Sequence, residues 1–251
     1  MGFLHKQKKL DSRSMKQGVN LITVTKPTST IAEQFRTIRT NIQFSSADRS
    51  LQTILFTSAN PSEGKSTVSA NVAVTWADQG SKVLFIDADL RRSTVHRTFN
   101  VSNQHGLTTL LTAQHADLGT SIQATDVPNL SVLPSGPIPP NPSELLSSTK
   151  MDQLLNVLVN QFDMIILDVP PVNIVTDAQV LANRVDGVVL VVPQGIAVKG
   201  AVMRARDLLE KVHANLLGAV LNRTTASESG GYYGGYYGGY YGGYYGTEDK
   251  K

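Results

Sequence analysis

Between Leu51 and Asn222, short runs of β-branched and aliphatic residues alternate with stretches whose apolar positions recur every three or four residues. The short runs predict strands over Thr53–Thr57, Lys82–Asp87, Leu130–Leu133, Met164–Asp168, Gly187–Val192 and Leu216–Leu221. The longer stretches predict helices over Lys65–Gln79, Ser143–Asn160, Asp177–Asn183 and Val198–Val212, with Gly80 as a C-terminal stop. Strands alternating with helices in this way predict an α/β fold, a mostly parallel central sheet with helices on both faces. Five of the eleven prolines crowd into Pro134–Pro142, which predicts an extended loop. Upstream of the first strand, Ile31, Phe35, Ile38 and Ile42 fall on one helical arc and predict an amphipathic helix, with Thr30 and Glu33 as its capping box. On the same wheel Glu33, Arg36 and Arg39 make a charged arc facing away from the apolar stripe. A local Glu33–Arg36 pair worth ~0.2–0.5 kcal/mol accounts for that arc, and so does contact with a neighbouring subunit.

Composition narrows the class. A chain of 251 residues with 41% hydrophobic and 17% charged residues is long enough for one large domain and is neither a coiled coil nor a collagen. The absence of cysteine excludes disulfide scaffolds, thiolate metal sites and cysteine nucleophiles. No apolar run approaches the roughly 20 residues of a membrane-spanning helix, and the first residues lack the apolar core of a signal peptide. The chain is therefore expected not to cross a membrane by itself.

Charge and tyrosine are unevenly spread. Residues 1–20 hold five Lys/Arg against one Asp, so the +3 net charge belongs to a basic arm and the remainder is near neutral. Lys6, Lys8, Lys9, Arg13 and Lys16 fit either attraction to anionic lipid at about 1 kcal/mol per charge or a soluble leader. All eight tyrosines (Tyr232, Tyr233, Tyr236, Tyr237, Tyr240, Tyr241, Tyr244 and Tyr245) stand in a Gly-Gly-Tyr-Tyr repeat near the C-terminus. A segment with no aliphatic side chain and abundant glycine builds no core. The expected organisation is a basic flexible arm at 1–20, a catalytic domain at 21–226 and a disordered tail at 227–251.

Three strand ends carry chemistry. After Thr53–Thr57 the chain reads Ala59, Asn60, Pro61, Ser62, Glu63, Gly64, Lys65, Ser66, Thr67, a phosphate-binding loop with Ala59 in place of the first glycine. Ser62, Glu63, Gly64, Lys65, Ser66 and Thr67 are the expected nucleotide contacts: backbone N–H groups around the phosphates, Lys65 neutralising them, and the Ser66 hydroxyl on Mg²⁺. The second strand ends in Asp87, Ala88, Asp89, Leu90, Arg91, placing two carboxylates where open α/β sheets bind ligands. The fourth ends in Asp168 before Pro170 and Pro171, the Walker B pattern of a magnesium site. Asp177 is expected to serve the dipole of its helix.

Together these motifs resemble the bacterial tyrosine kinases, autokinases of capsule and exopolysaccharide export within the P-loop NTPase class. The resemblance rests on Pro61, Glu63, Gly64, Lys65 and Ser66; on Asp87, Asp89 and Arg91; on Asp168; on Glu33, Arg36 and Arg39; and on the tyrosine cluster, and it covers about Val24 to Tyr245. Ser93 departs from the pattern, standing where a proline often follows the paired basic residues. The resemblance implies ATP and Mg²⁺ as cofactors, with Lys65, Asp87, Asp89 and Asp168 catalytic and Ser66, Asp87, Asp89 and Asp168 around the metal. Asp87 is the candidate to align or deprotonate the incoming tyrosine. Asn222 matches a position that reads adenine, with a turn-forming role before Arg223 of nearly equal weight. The tail tyrosines become phosphoacceptors, and Glu33, Arg36 and Arg39 the contacts of a homo-oligomeric ring; the alternatives are a partition-like P-loop ATPase or a nucleotide-gated scaffold, with the Gly/Tyr tail adhesive in either. Implied partners are a separate membrane-spanning activator and a cognate tyrosine phosphatase, with no nucleic acid. The implied place is the cytoplasm, recruited to the inner face of the membrane.

Overall fold

A computed structural model of the protein describes residues 16–46, 50–113 and 117–224. The tyrosine repeat and the basic residues from Lys6 to Arg13 lie outside the described residues, as do the expected disordered tail and the expected flexible arm up to residue 15; of the remainder of that arm, the Val19 N–H donates to the Thr98 hydroxyl at 3.0 Å and Val19 packs against the core. In chain order the elements are α1 (Ile22–Thr25), α2 (Thr30–Phe44), β1 (Thr53–Ser58), α3 (Lys65–Ala77), β2 (Val83–Asp87), α4 (Val95–Thr98), α5 (Leu107–Thr112), α6 (Leu118–Ser121), β3 (Gln123–Ala124) and β4 (Leu130–Leu133). They continue with α7 (Pro142–Ser147), α8 (Thr149–Leu158), β5 (Met164–Asp168), α9 (Asp177–Ala182), β6 (Gly187–Pro193), α10 (Lys199–Lys211) and β7 (Leu216–Asn222).

The sheet runs β3-β4-β2-β5-β1-β6-β7 and is parallel except where the two-residue β3 pairs antiparallel with β4. Both faces of β1, β2 and β5 are buried, which is why their apolar residues run consecutively instead of alternating with polar ones. Successive side chains feed opposite cores: Leu55, Leu84 and Ile165 pack on one side, and Ile54, Phe56, Phe85 and Ile166 on the other with α2 and α3. Because β1, β2 and β5 are adjacent and parallel, their C-terminal ends open at one edge of the sheet, and Asp87 lies in register with Asp168.

Three local expectations are corrected. The cap of α2 is Ser29, whose hydroxyl accepts from the Ala32 N–H, while Thr30 is already helical and Glu33 turns to Arg36 instead of closing a box. Arg39 does not face away from the apolar stripe: it is buried, and its guanidinium donates to the Thr75 carbonyl of α3 at 2.7 Å. The stretch Ser143–Asn160 is two helices, because Ser148 is extended (ψ 154°) and its side chain caps α8 through the Met151 N–H. Gly80 does end α3, at φ +88°.

Candidate active site

The phosphate loop gets its shape from within. Ser62 and Gly64 take positive φ values of 61° and 96°, and the Glu63 carboxylate turns inward to accept from the Asn60 N–H at 3.0 Å and the Asn60 amide at 3.2 Å. Glu63 is thus a clamp of the loop, and its side chain does not face a ligand. Gly64 is required twice over: its φ is left-handed, and a Cβ there would stand 2.1 Å from the Asn222 amide nitrogen. That amide donates to the Glu63 carbonyl at 3.1 Å, and Arg223 donates to the Ser62 carbonyl at 3.1 Å, so the end of β7 braces the loop. The Asn222 side-chain oxygen accepts from the Arg223 N–H, the turn-forming role weighed for it in the sequence. Helix α3 starts at Lys65 without a side-chain cap, leaving its first N–H groups to an anion.

Lys65 lies between two carboxylates, 3.1 Å from Asp89 and 3.3 Å from Asp168. Burial works against its ammonium, but Asp168 and then Asp89 outweigh that and hold its pKa above the usual lysine value. The Ser66 hydroxyl donates to Asp168 at 2.5 Å. Burial and the neighbouring Asp168 and Asp89 push the Asp87 carboxyl up to about 7 against the pull of Ser93 and Lys65, and burial also raises that of Asp168 despite Lys65. The residues named from the sequence at the start of α3 and at the ends of β2 and β5 therefore form one electrostatic cluster.

Among the described residues no three His, Cys, Asp or Glu side chains are grouped closely enough to hold a metal ion by themselves. The donor set still suits Mg²⁺, which takes one or two carboxylates and completes its shell with phosphate and water. The adjoining Ser66 hydroxyl and Asp168 carboxylate are the pair that fits.

Sequence reasoning missed a partner for Arg91. Its guanidinium spans 86 residues to Asp177, Nε at 3.1 Å from one carboxylate oxygen and Nη2 at 3.3 Å from the other, and Ser143 also donates to Asp177. Asp177 is fully buried, so beyond its place at the start of α9 it ties the β2 loop to that helix. Replacing Arg91 by Ala removes the charged partner of this carboxylate and leaves it Ser143, so a loss of about 1–2 kcal/mol is expected in chemical denaturation.

A second expectation follows from Asp87. A carboxyl raised to about 7 in the fold against 3.8 unfolded takes up a proton on folding, so its contribution is most favourable at acid pH and is lost as pH rises through about 7. In nucleotide-free protein, Asp87→Asn is therefore expected to raise the thermal midpoint above pH 7, with the gain shrinking toward acid pH.

Known proteins bear on this geometry. An AAA domain family model matches residues 51–217. A tyrosine-protein kinase of Bacillus subtilis, YwqD, is 46% identical over 88% of this chain and 94% of its own. A putative tyrosine-protein kinase of Staphylococcus aureus, CapB, is 46% identical over 83% of this chain and 91% of its own. Among solved structures, the chimerical protein CapA2B2 superposes with a TM-score of 0.78 at 44% identity, covering 81% of this chain and 89% of that one. A phosphate loop faced by acidic strand ends, on a chain this similar to named kinases, belongs to the bacterial tyrosine-protein kinases of the P-loop class, and its activity is that of a protein-tyrosine kinase.

Proposed function

We propose that the chain is an ATP-dependent autokinase that phosphorylates its own C-terminal tyrosines, one subunit acting on the tail of the next. The observation that carries this is Asp87, a buried carboxyl raised to about 7 beside the Lys65–Asp168 cluster, in a protein whose eight tyrosines all stand in one repeat. A phenol arrives neutral, with a pKa of about 10, so transfer needs a group to take its proton, and a base near neutrality suits that task.

The residues divide the work. Backbone N–H groups of the loop and of the first turn of α3 cradle the phosphates, and Lys65 moves from Asp89 and Asp168 to the phosphate charge as ATP binds. Ser66, with Asp168 directly or through water, would hold Mg²⁺, which supplies further charge neutralisation on the transferring group. Asp87 receives the tyrosine proton. Asn222 braces the loop and is the proposed adenine contact. A random-coil segment as long as that from Asn222 to Tyr232 spans roughly 16–19 Å, and one as long as that to Tyr245 roughly 24–29 Å, lengths that allow transfer to the chain's own site or to a neighbour's.

For the ring, Glu33 and Arg36 have side chains 68% and 31% exposed but pair with each other at 2.8 Å, and Arg36 also donates to the Pro27 carbonyl, so a subunit contact would have to exchange these bonds, whereas Arg39 fastens their helix to α3. The family resemblance supports a role in capsule or exopolysaccharide production, a membrane-spanning activator that recruits the kinase to the inner face of the membrane, and a phosphatase that resets the tail. No described helix is long and apolar enough to cross a membrane.

The test mixes two chains, a Lys65→Ala full-length protein and an active protein ending at residue 226, with Mg²⁺ and ATP. Phosphate on the tail of the Lys65→Ala chain supports transfer between subunits. Phosphate appearing only when an intact Lys65 and the tail share one chain contradicts it. Each phosphotyrosine adds about −1.5 to −2 charge, so full modification is expected to disperse the oligomer in light scattering.

A further inference from the structure

The loop joining β2 to α4 carries a chain of hydrogen bonds that ends on Asp87. Its Oδ2 accepts from the Ser93 hydroxyl at 2.8 Å and from the Val95 N–H at 3.2 Å, and its Oδ1 accepts from the Asp89 N–H at 3.2 Å. A carboxylate offers about four lone-pair sites, two on each oxygen. Two donors fill Oδ2 and one stands at Oδ1, so the open site is on Oδ1.

The direction of the chain is fixed by counting protons. A serine hydroxyl has one proton, and an ionised carboxylate can only accept, so that proton is spent on Asp87. The remaining contact, between the Ser93 hydroxyl oxygen and His96 Nδ1 at 3.0 Å, must then carry its proton on the imidazole. His96 Nδ1–H donates to Ser93, and Ser93 donates to Asp87. With His96 Nδ1–H held at the hydroxyl oxygen, the serine proton is left to point at Oδ2. Burial, and then the adjacent Arg97, lower the His96 pKa and favour the neutral ring, which carries one N–H, placed here on Nδ1.

We propose that Ser93 and His96 are positioning residues for phosphoryl transfer, holding the Asp87 carboxylate so that the open lone pair of Oδ1 meets the incoming tyrosine hydroxyl. This rests on Asp87 being the base. In the step served, the tyrosine O–H bond breaks as its oxygen bonds to the γ-phosphorus, and the proton passes to Oδ1. The bond from that phosphorus to the β,γ-bridging oxygen breaks with its electron pair left on ADP.

The test measures initial rates of phosphate incorporation into the full chain with Mg²⁺ and ATP, against a Asp87→Asn control. Ser93→Ala is expected to lower kcat about tenfold, a displaced catalytic group being costly even over short distances, with KM for ATP unchanged and Ser93→Thr restoring the rate. His96→Phe is expected to lose several-fold in kcat, and His96→Asn, whose amide N–H falls near the place of Nδ1, to recover it. Because His96 acts through Ser93, the double variant Ser93→Ala/His96→Phe should be no slower than Ser93→Ala alone. Wild-type kcat in Ser93→Ala beside an inactive Asp87→Asn overturns the positioning role and leaves Asp87 as base. Multiplying losses in the double variant overturn it too. So does a loss that Ser93→Thr fails to restore or that raises KM for ATP, since that marks a loop that has merely lost its shape. An active Asp87→Asn overturns the base assignment and the positioning role with it.

Discussion

Lys65→Ala is expected to end phosphate transfer to tyrosine, a loss of about 10³-fold in kcat. The ammonium bridges Asp89 and Asp168 at 3.1 and 3.3 Å and is the positive charge closest to all three strand ends. Its removal leaves a buried group of like charges facing the site of an incoming polyphosphate, so ATP affinity falls along with the rate. Those carboxyls escape their repulsion by binding protons, so the variant is expected to stay folded near neutral pH and to gain thermal stability as pH falls. Circular dichroism melts and ATP titrations of the variant check both consequences. Wild-type incorporation in Lys65→Ala would mean that the phosphate loop is not where transfer occurs.

Asp87→Asn should cost about 10²–10⁴-fold in kcat and, unlike the lysine change, spare ATP binding, because Lys65, Ser66 and Asp168 remain together. An amide keeps the size of the carboxyl but cannot take the phenolic proton. In the wild type a carboxyl near 7 is protonated on the acid side and idle as a base, so the rate should rise with pH through about 7 and level off above it. The residual rate of Asp87→Asn should lack that limb. Initial rates across neutral pH at saturating ATP decide the matter, and a wild-type profile flat through 7 would remove Asp87 from the proton transfer.

These expectations depend on parts of the molecule that the sequence exposes to very different degrees. The central strands are legible because both faces of β1, β2 and β5 are covered and each has an apolar run of at least three residues. The loop motif is legible because phosphate binding demands a fixed order of residue types over a few positions. Long-range polar pairing leaves no such trace. Arg91 and Asp177 are 86 residues apart, and only the fold shows that one charge compensates the other. Arg39 reads as surface charge because the helical wheel groups it with Glu33 and Arg36, whereas a reachable carbonyl on α3 draws it inside. The break at Ser148 was open to inspection, since Ser148 precedes a helix it can cap, but the apolar period runs on through it and masks the boundary. The small elements between Val95 and Ala124 are two to six residues long, too short to develop a period. Ser93 is the instructive case: as a departure from a family pattern it looks inconsequential, and in three dimensions its hydroxyl is on the candidate base.

The most direct measurement is the intact mass of the purified chain after incubation with Mg²⁺ and ATP, with and without the cytoplasmic segments of a membrane partner. The account predicts mass gains in steps of one phosphate, confined on digestion to the segment bearing Tyr232 to Tyr245, and none in Lys65→Ala. ATP hydrolysis without mass gain under both conditions would contradict it.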